Sequence, residues 1–259
     1  METEPLIVKA DAGVAIVTLN RHHKKNAVTF DMWRKLALGF EALSADPAIR
    51  AVILCGAGVD FSAGADIGEF ATLRDAANAQ DYEAANSAAF TAIRNCRVPV
   101  VAAIRGICFG GGFGLAAAAD LRIATPDAQF CVPAAKLGLA YPQDAMQDIV
   151  SAAGPQMARY LAFTGARIDA QEALSAGFLL KVVPGEKLDA QAIEIARTVA
   201  ANAPLSVRAS KLSIRAVLSG DAIDARAAQD AGAATFHSAD YAEGRAAFRE
   251  RRAPEFSGR

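Results

Sequence analysis

Two glycine-rich segments, each directly after a short apolar run, constrain this chain more than any other feature. Residues 61–67 (FSAGADI) follow the run at 51–55, and residues 106–114 (GICFGGGFG) follow the run at 100–104. Glycine allows a backbone to approach a ligand closely. Two such loops side by side would hold one oxygen between two N–H donors, as stabilisation of an enolate or oxyanion requires. Tight turns without a ligand explain the same spacing, so the loops alone leave both interpretations open.

Apolar runs and helical patterns alternate along the first part of the chain. Apolar residues recur at spacings of three and four over 29–44, which predicts a helix capped by Thr29. Continuous apolar runs predict strands buried on both faces. We expect strands at 6–9, 14–19, 51–55, 100–104, 121–124, 129–132 and 179–183, and helices at 29–44, 75–95 and 110–119. Strands that alternate with helices imply an α/β fold with a mostly parallel sheet.

After Pro142 the pattern becomes mostly helical. We expect helices at 144–153, 155–163, 169–176, 187–202, 204–218, 221–236 and 239–250. We divide the chain into a core domain at 1–195 and a C-terminal helical region at 196–259. Because this second region is short for an independent domain, we expect it to pack on the core or on a neighbouring subunit.

The composition excludes several classes of function. Apolar residues make up 53% of the 259 residues and charged residues 21%, which argues for a sizeable core and against disorder. The formal net charge of -1 gives no long-range field for nucleic acid or an anionic membrane. The sequence lacks CxxC and HExxH patterns and the basic region of a signal peptide. We therefore expect a cytoplasmic protein without a metal site, and buried, reduced cysteines at positions 55, 96, 108 and 131.

Five segments in chain order resemble the enoyl-CoA hydratase/isomerase (crotonase) superfamily. They are RHHKKNAVT (21–29), FSAGADI (61–67), GICFGGGFGLAAAADLRIA (106–124), FTGARIDAQEALSAGFLLKVVP (163–184) and EGRAAFRERRAPEFSGR (243–259). One motif alone would be weak, but five in order make the resemblance specific. It implies a crotonase-like spiral of stacked ββα turns with a helical C-terminal region that forms homotrimers, which often pair into hexamers.

The resemblance also implies roles for particular residues. The N–H groups of Ala65 and Gly111 would bind the oxygen of a CoA thioester and stabilise its enolate. CoA would then be part of the substrate, with no separate cofactor. The residues that would line the CoA site are Lys25, Ala27, Ala63, Ala65, Asp66 and Ile67, joined by Phe248 and Arg251 from the tail of a subunit. For Asp66 we favour a role in fixing its loop over direct contact with the ligand.

Two positions depart from the pattern of the family's hydratases. Those enzymes carry one glutamate three residues after the middle glycine of GGG and another after a proline, but this chain has Gly114 and Ala134 there. Addition of water to a double bond needs a base for the water and an acid for the α-carbon. Each such group is typically worth about 10²–10⁴-fold in rate. An isomerase of the single-glutamate type would need the carboxylate at position 134 as well. The resemblance therefore predicts a substrate class more firmly than a reaction.

Tyr141 and Asp144 are the nearby groups that remain for proton transfer. They lie in LGLAYPQD (137–144), which resembles a loop of methylmalonyl-CoA decarboxylases that has a tyrosine at the place of Tyr141. Those enzymes have a histidine in place of Ala65, so the match is partial. Asp144 would act as a base if it is partly buried, or cap a helix that begins near Ala145. Tyr141 would donate a proton or shape the pocket, and we interpret Glu69 as structural.

Two functions fit these observations. One is an enzyme that acts on an acyl-CoA by hydration, isomerisation, decarboxylation or thioester hydrolysis. The other is a protein that binds a CoA thioester without chemistry. RNA binding is a third class, and the neutral charge disfavours it. We expect the shape of the acyl pocket to depend on the region around 75–90.

Overall fold

Two β-sheets organise the chain, which a computed structural model describes at residues 4–70 and 79–259. The strands in these ranges are β1 (Leu6–Asp11), β2 (Val14–Leu19), β3 (Ala51–Gly56), β4 (Val100–Ile104), β5 (Ile107–Phe109), β6 (Leu121–Ala124), β7 (Gln129–Cys131), β8 (Arg167–Asp169) and β9 (Lys181–Val182). The larger sheet has the order β1-β2-β3-β4-β6-β9, and the smaller has the order β5-β7-β8. From β2 to β9 every pair in the larger sheet is parallel, which confirms the prediction of a mostly parallel sheet.

The chain alternates between the two sheets as it advances. Strand β4 lies in the larger sheet and β5, three residues later, in the smaller; β6 and β7 repeat this division. An isolated bridge between Ser62 and Cys108 places the segment after β3 beside β5 in the same way. Each circuit therefore contributes one strand to each sheet and brings the loops after β3 and β4 next to each other.

Helices enclose the sheets on several sides. In the described part of the chain they are α1 (Phe30–Ala45), α2 (Ala79–Arg94), α3 (Gly111–Ala118), α4 (Gln143–Thr164), α5 (Ala170–Ser175), α6 (Leu188–Ala201), α7 (Pro204–Ser219), α8 (Ala222–Thr235) and α9 (Ala239–Glu250). Thr29 caps α1 as predicted, since its side-chain oxygen accepts from the Met32 N–H. The helix predicted at 75–95 corresponds to α2, and positions 75–78 lie outside the described residues.

The helices predicted at 144–153 and 155–163 are confirmed, because Gly154 at φ 75° is a non-helical residue that divides α4 into two helical segments. The predicted helix at 187–202 corresponds to α6, which spans the boundary drawn at 195/196. The strands β5 and β8 were not predicted, because each has only three residues and too few for a recognisable alternation.

Two apolar clusters form the core. The larger lies among the sheets and α1 to α4, with Trp33, Phe40 and Phe113 fully buried in it. The smaller joins the other face of the larger sheet to α6, through residues such as Ile53 and Ala196. Because α6 covers that face, the sheet is buried on both sides, as parallel sheets usually are.

All four cysteines are free thiols, and three of them are buried. Cys55 is only partly buried, which corrects the expectation for that position. Burial raises the pKa of all four thiols above the usual value, so they are poor nucleophiles at neutral pH. No helix in the described ranges is both long and apolar enough to cross a bilayer.

Candidate active site at two backbone loops

The loop after β3 is aligned by hydrogen bonds to the segment at 21–29. The Val28 N–H donates to the Gly64 carbonyl (2.8 Å), and the Asp66 N–H donates to the Val28 carbonyl (2.9 Å). Successive residues of an extended chain direct their N–H groups to opposite sides. The Ala65 N–H, between two residues bonded to Val28, therefore points away from the 21–29 segment.

Buried polar side chains fix the two segments to each other. The amide of Asn26, fully buried, donates to the carbonyls of Ala57 (2.9 Å) and Asp60 (2.7 Å). Ser62 Oγ donates to the Asn26 carbonyl (2.8 Å) and accepts from the Gly64 N–H (3.1 Å). With these groups satisfied internally, the loop conformation is set before any ligand arrives.

The loop after β4 is held from both sides. The Phe109 N–H donates to the Ser62 carbonyl (2.9 Å), and the Gly110 N–H donates to the Cys131 carbonyl (2.9 Å). Gly110 then adopts φ 54° and ψ -121°, a combination that needs glycine, and α3 begins at Gly111. The Gly111 N–H thus lies in the first turn of a helix, where backbone donors have no intrahelical acceptor and the helix dipole is positive.

The N–H groups of Ala65 and Gly111 lie side by side. A Cβ placed on Gly111 would be 3.5 Å from the Ala65 nitrogen, and one placed on Gly64 would be 2.9 Å from the Gly111 nitrogen. Neither N–H donates to an acceptor among residues 4–70 and 79–259. Both residues line the same pocket. Stabilisation of a developing oxyanion requires two N–H donors directed at one point beside a ligand.

That pocket is mainly apolar and has a cavity volume of about 90 Å³. Its described wall consists of Ala63, Ala65, Ile67, Phe70, Glu83, Asn86, Phe90, Gly110, Gly111, Pro133, Ala134, Leu137, Leu139, Tyr141, Pro142 and Ala145. The loops therefore form one side, α2 another, and the segment from Pro133 to Ala145 a third.

Gly114 and Ala134, the two positions at which the resemblance leads one to expect glutamates, carry no proton-transfer group. A Cβ on Gly114 would lie 2.6 Å from the tip of the Phe90 ring, so the space into which a side chain at 114 would project is filled by α2. Phe90 is 3% exposed and contacts Trp33 edge to face, with ring centroids 5.6 Å apart. Ala134 lines the pocket as a methyl group, in a short 3₁₀ turn after Pro133.

Of the two substitutes predicted from the sequence, Tyr141 lines the pocket and Asp144 does not. The Tyr141 hydroxyl lies near Gly110, 3.7 Å from a Cβ placed there. Asp144 Oδ1 accepts a hydrogen bond from Ser87 of α2 (3.2 Å). The prediction that Asp144 caps its helix is wrong, because α4 begins at Gln143 and Pro142 occupies the cap position. Proline fixes the backbone for this helix start without a side-chain acceptor.

Helix α2 contributes two pocket residues that the sequence did not identify, Glu83 and Asn86. With Phe90 they follow spacings of three and four, so all three lie on one helix face. The aromatic residue Phe90 indicates from the sequence that this helix face is buried. That was the available signal that Glu83 and Asn86 face inward. Polar residues in an amphipathic helix are normally assigned to solvent, which is why Glu83 and Asn86 were missed.

The carboxylates of the first loop have structural partners. Asp66 forms an ion pair with Arg21 (2.9 Å) and accepts from the Gly68 N–H (3.0 Å). Burial alone would raise the pKa of Asp66, but these hydrogen bonds hold the pKa below its ordinary value. Glu69 accepts from the Phe30 N–H at the start of α1 (2.7 Å), in agreement with a structural role.

The other predicted CoA-site residues have varied environments. Ile67 is 68% exposed and lines the pocket together with Ala63. Lys25 is exposed and Ala27 buried; both lie in the 21–29 segment, outside the pocket wall. Phe248 is 89% exposed on α9, and Arg251 ends that helix with φ 55°. Neither of these last two belongs to the pocket wall within a single chain.

Comparisons with known proteins agree with the α/β fold. Residues 9–259 match the family model described as enoyl-CoA hydratase/isomerase. A probable enoyl-CoA hydratase of Mycobacterium bovis is 33% identical, with 100% of both chains covered. A short-chain-enoyl-CoA hydratase of Clostridium acetobutylicum is also 33% identical, with 97% of both chains covered. The crystal structure of an enoyl-CoA hydratase/carnithine racemase from Magnetospirillum magneticum superposes with a TM-score of 0.94 at 37% identity, covering 100% of this chain and 97% of that chain.

These matches define an α/β protein with the crotonase fold, as the sequence predicted. The chain belongs to the enoyl-CoA hydratase/isomerase family. The family acts on acyl-CoA thioesters.

Proposed function

We propose that the pocket binds an acyl-CoA whose thioester oxygen accepts hydrogen bonds from the N–H groups of Ala65 and Gly111. The observation that carries this proposal is that both donors lie together at the pocket wall without an acceptor in the described part of the chain. Donors already fixed in position need no reorganisation when negative charge develops on the oxygen. They would favour the enolate or oxyanion over the ground-state thioester.

The CoA portion of the substrate would run along the loops. The proposed neighbours of CoA are Lys25, Ala27, Ala63, Asp66 and Ile67. Asp66 would act indirectly, because its ion pair with Arg21 fixes the conformation of the loop. Phe248 and Arg251 would approach CoA from a second copy of the chain, since they lie outside the pocket of their own copy. The guanidinium of Arg251 is suited to a phosphate group.

The proposed reaction is not hydration by two glutamates at the family positions. Gly114 and Ala134 supply no proton-transfer group, although relatives with about a third of their residues identical are named hydratases. The reactions that remain are hydration by other groups, isomerisation, decarboxylation and thioester hydrolysis. Tyr141 lines the pocket and is the better placed of the two predicted substitutes, because Asp144 lies outside the described pocket wall.

A second candidate function is binding of a CoA thioester without turnover. Gly114 and Ala134 favour this second function as well. A protein without proton-transfer groups at these positions would still bind the thioester oxygen through the two N–H groups, but it would be inactive.

Turnover of a panel of acyl-CoAs separates the two candidates. The panel should include crotonyl-CoA, 3-hydroxybutyryl-CoA, a 3-enoyl-CoA and methylmalonyl-CoA, with product formation followed by chromatography and binding by calorimetry. An enzyme converts at least one of these compounds. Binding of several compounds without conversion of any would establish the second function, and absence of all binding would contradict both.

A further inference from the structure

Asn86 is a buried polar side chain that has no hydrogen-bond partner among the described residues. The residue is 6% exposed, and its side-chain amide forms no hydrogen bond with residues 4–70 or 79–259. Leaving such a group unsatisfied is destabilising by about 1–3 kcal/mol. A leucine of similar shape would avoid that loss. Because Asn86 lines the pocket, a bound molecule is the natural partner for its amide.

Glu83 lies on the same helix face, three residues earlier. It is partly buried, and it is the one carboxylate among the described residues of the pocket wall. Residues three apart on a helix are neighbours on its surface. The carboxylate and the amide thus face one cavity whose other side presents the N–H groups of Ala65 and Gly111.

Helix α2 is held at this wall by contacts on both sides. Trp33 Nε1 donates to the Tyr82 hydroxyl (3.3 Å), and the Trp33 ring lies against Gly111, 2.9 Å from a Cβ placed there. On the opposite side, Ser87 and Arg94 donate to Asp144 and Asp148 of α4. The position of Glu83 and Asn86 relative to the two loops is therefore set by packed side chains.

We propose that Glu83 is the proton carrier of this site and that Asn86 binds an oxygen on the β-carbon of the acyl group. The proposal rests on the proposed function, because it takes the thioester oxygen to be bound at Ala65 and Gly111. The substrate class is a 3-hydroxyacyl-CoA or the corresponding enoyl-CoA, because Glu83 and Asn86 line the same pocket as the N–H groups of Ala65 and Gly111.

The reaction needs no reagent beyond the acyl-CoA and water. The Glu83 carboxylate removes the α-proton, and the C–H electron pair moves into the thioester to give an enolate with its charge at the N–H pair. The enolate then expels the β-hydroxyl, which takes the proton from Glu83 and leaves as water, and the α,β double bond forms. The Asn86 amide holds that oxygen beside Glu83 throughout. The reverse sequence adds water to the enoyl-CoA.

Exchange of the α-proton in D₂O tests the role of Glu83. Butyryl-CoA, which has no leaving group, reports enolate formation as deuterium incorporation by mass spectrometry. Glu83→Gln should slow exchange by about 10²-fold or more, the typical worth of a positioned acid–base group. Asp81→Asn, an exposed carboxylate on the same helix, is the matched control and should exchange at the wild-type rate. If Glu83→Gln does not fold, the acid side of the wild-type pH profile must still show loss of exchange as one carboxylate is protonated.

Substitution of Asn86 has a signature that a merely structural residue would not give. Asn86→Leu removes an unsatisfied amide, so its melting temperature without ligand should be at least that of the wild type. Its affinity for 3-hydroxybutyryl-CoA should fall about tenfold, equivalent to one lost hydrogen bond, while its affinity for butyryl-CoA should stay the same. If the leucine variant does not fold, Asn86→Ala is used for the same comparison of ligand affinities. Equal losses for both ligands would overturn the role of Asn86.

The outcomes separate this proposal from the proposed function. Wild-type exchange that survives in Glu83→Gln, or that is lost instead in Asp144→Asn, overturns the role of Glu83 and leaves the N–H pair in place. Absence of exchange in the wild type, with the bound thioester carbonyl still polarised, also overturns Glu83 as proton carrier. A bound carbonyl that is not polarised contradicts the proposed function itself.

Discussion

The residue at position 114 determines whether α3 can supply a proton-transfer group to the pocket. In this chain the residue is glycine, and the ring of Phe90 occupies the space beside it. A glutamate restored at 114 alone would collide with that ring rather than reach the pocket. Gly114 of α3 and Phe90 of α2 therefore fill complementary space where the two helices pack.

We expect Gly114→Ala to lower the free energy of unfolding by about 1–3 kcal/mol, because its Cβ would overlap the Phe90 ring in a packed core. In Phe90→Ala the ring is absent, so the second substitution Gly114→Ala should cost much less there. Urea unfolding of the two single variants and the double variant measures this coupling. Strictly additive effects would show that the two residues do not interact.

Asp66 provides a pH-dependent prediction at the same scale. Its folded pKa lies below the usual 3.8, so its contribution to stability is present above that pH and is lost as the pH falls through the folded pKa. Asp66→Asn should lower the free energy of unfolding by about 1 kcal/mol at neutral pH. The difference from wild type should shrink below pH 3.8.

The control for Asp66 is an ion pair exposed to water. Asp230, paired with Arg226 on α8, is 65% exposed, and Asp230→Asn should have no measurable effect at either pH. A loss in Asp66→Asn that is independent of pH would show that the ion pair with Arg21 does not stabilise the loop.

At the scale of elements, α2 and α4 together determine the pocket. Ser87 and Arg94, seven residues apart on α2, contact Asp144 and Asp148, four apart on α4. Burial raises the pKa of Asp148 above its usual value in spite of Arg94, so this ion pair positions the helices more than it stabilises them. The residues of α2 that face the pocket are thus kept in place by those that face α4.

Helix α4 changes direction at Gly154. Its φ of 75° and ψ of 158° are accessible only to glycine, and no atom lies within 4 Å of a Cβ placed there. Gly154→Ala should therefore destabilise by about 1–3 kcal/mol through backbone strain alone. Gly39→Ala in α1, with equally open space and helical φ, should stabilise by about 0.5–1 kcal/mol. Thermal unfolding that shows the same sign for both would contradict the assignment of strain at Gly154.

The elements were easier to predict than the site. The ends of α1 and β4 agree with the sequence patterns within a residue, because capping and apolar periodicity are local properties. The proximity of Ala65 to Gly111 came from family resemblance, since the 45 intervening residues (66–110) carry no local signal of contact. Glu83 faces the pocket because of how α2 packs on α1 and α4, and no pattern in a single helix reveals which polar residues a fold will turn inward.

At the scale of the whole molecule, the C-terminal helices expose much apolar surface. The large apolar side chains concerned include Ile214 (62% exposed), Val217 (83%), Leu218 (59%), Ile223 (79%) and Phe236 (67%). Large exposed apolar side chains concentrated on two helices that pack on each other are typical of protein interfaces. We propose that these helices join copies of the chain into a homotrimer or a dimer of trimers.

Light scattering should then give a mass three or six times that of one chain. Val217→Asp should shift the mass toward that of one chain, because a charge would be buried in the interface. Val59→Asp, at a position 77% exposed in a loop near β3, should leave the mass unchanged. A monomeric wild type would contradict the proposed assembly.

Isotope-edited infrared spectroscopy of a bound acyl-CoA, labelled with ¹³C at the thioester carbonyl, tests the paired N–H groups of Ala65 and Gly111 most directly. Two hydrogen bonds to the carbonyl oxygen lengthen the C=O bond, so the stretching band of the bound thioester should move to lower wavenumber than in water. The thioether analogue, which has no carbonyl, should bind more weakly than the thioester. A carbonyl band unchanged from water, with equal affinity for the two compounds, would show that these N–H groups do not bind the thioester oxygen.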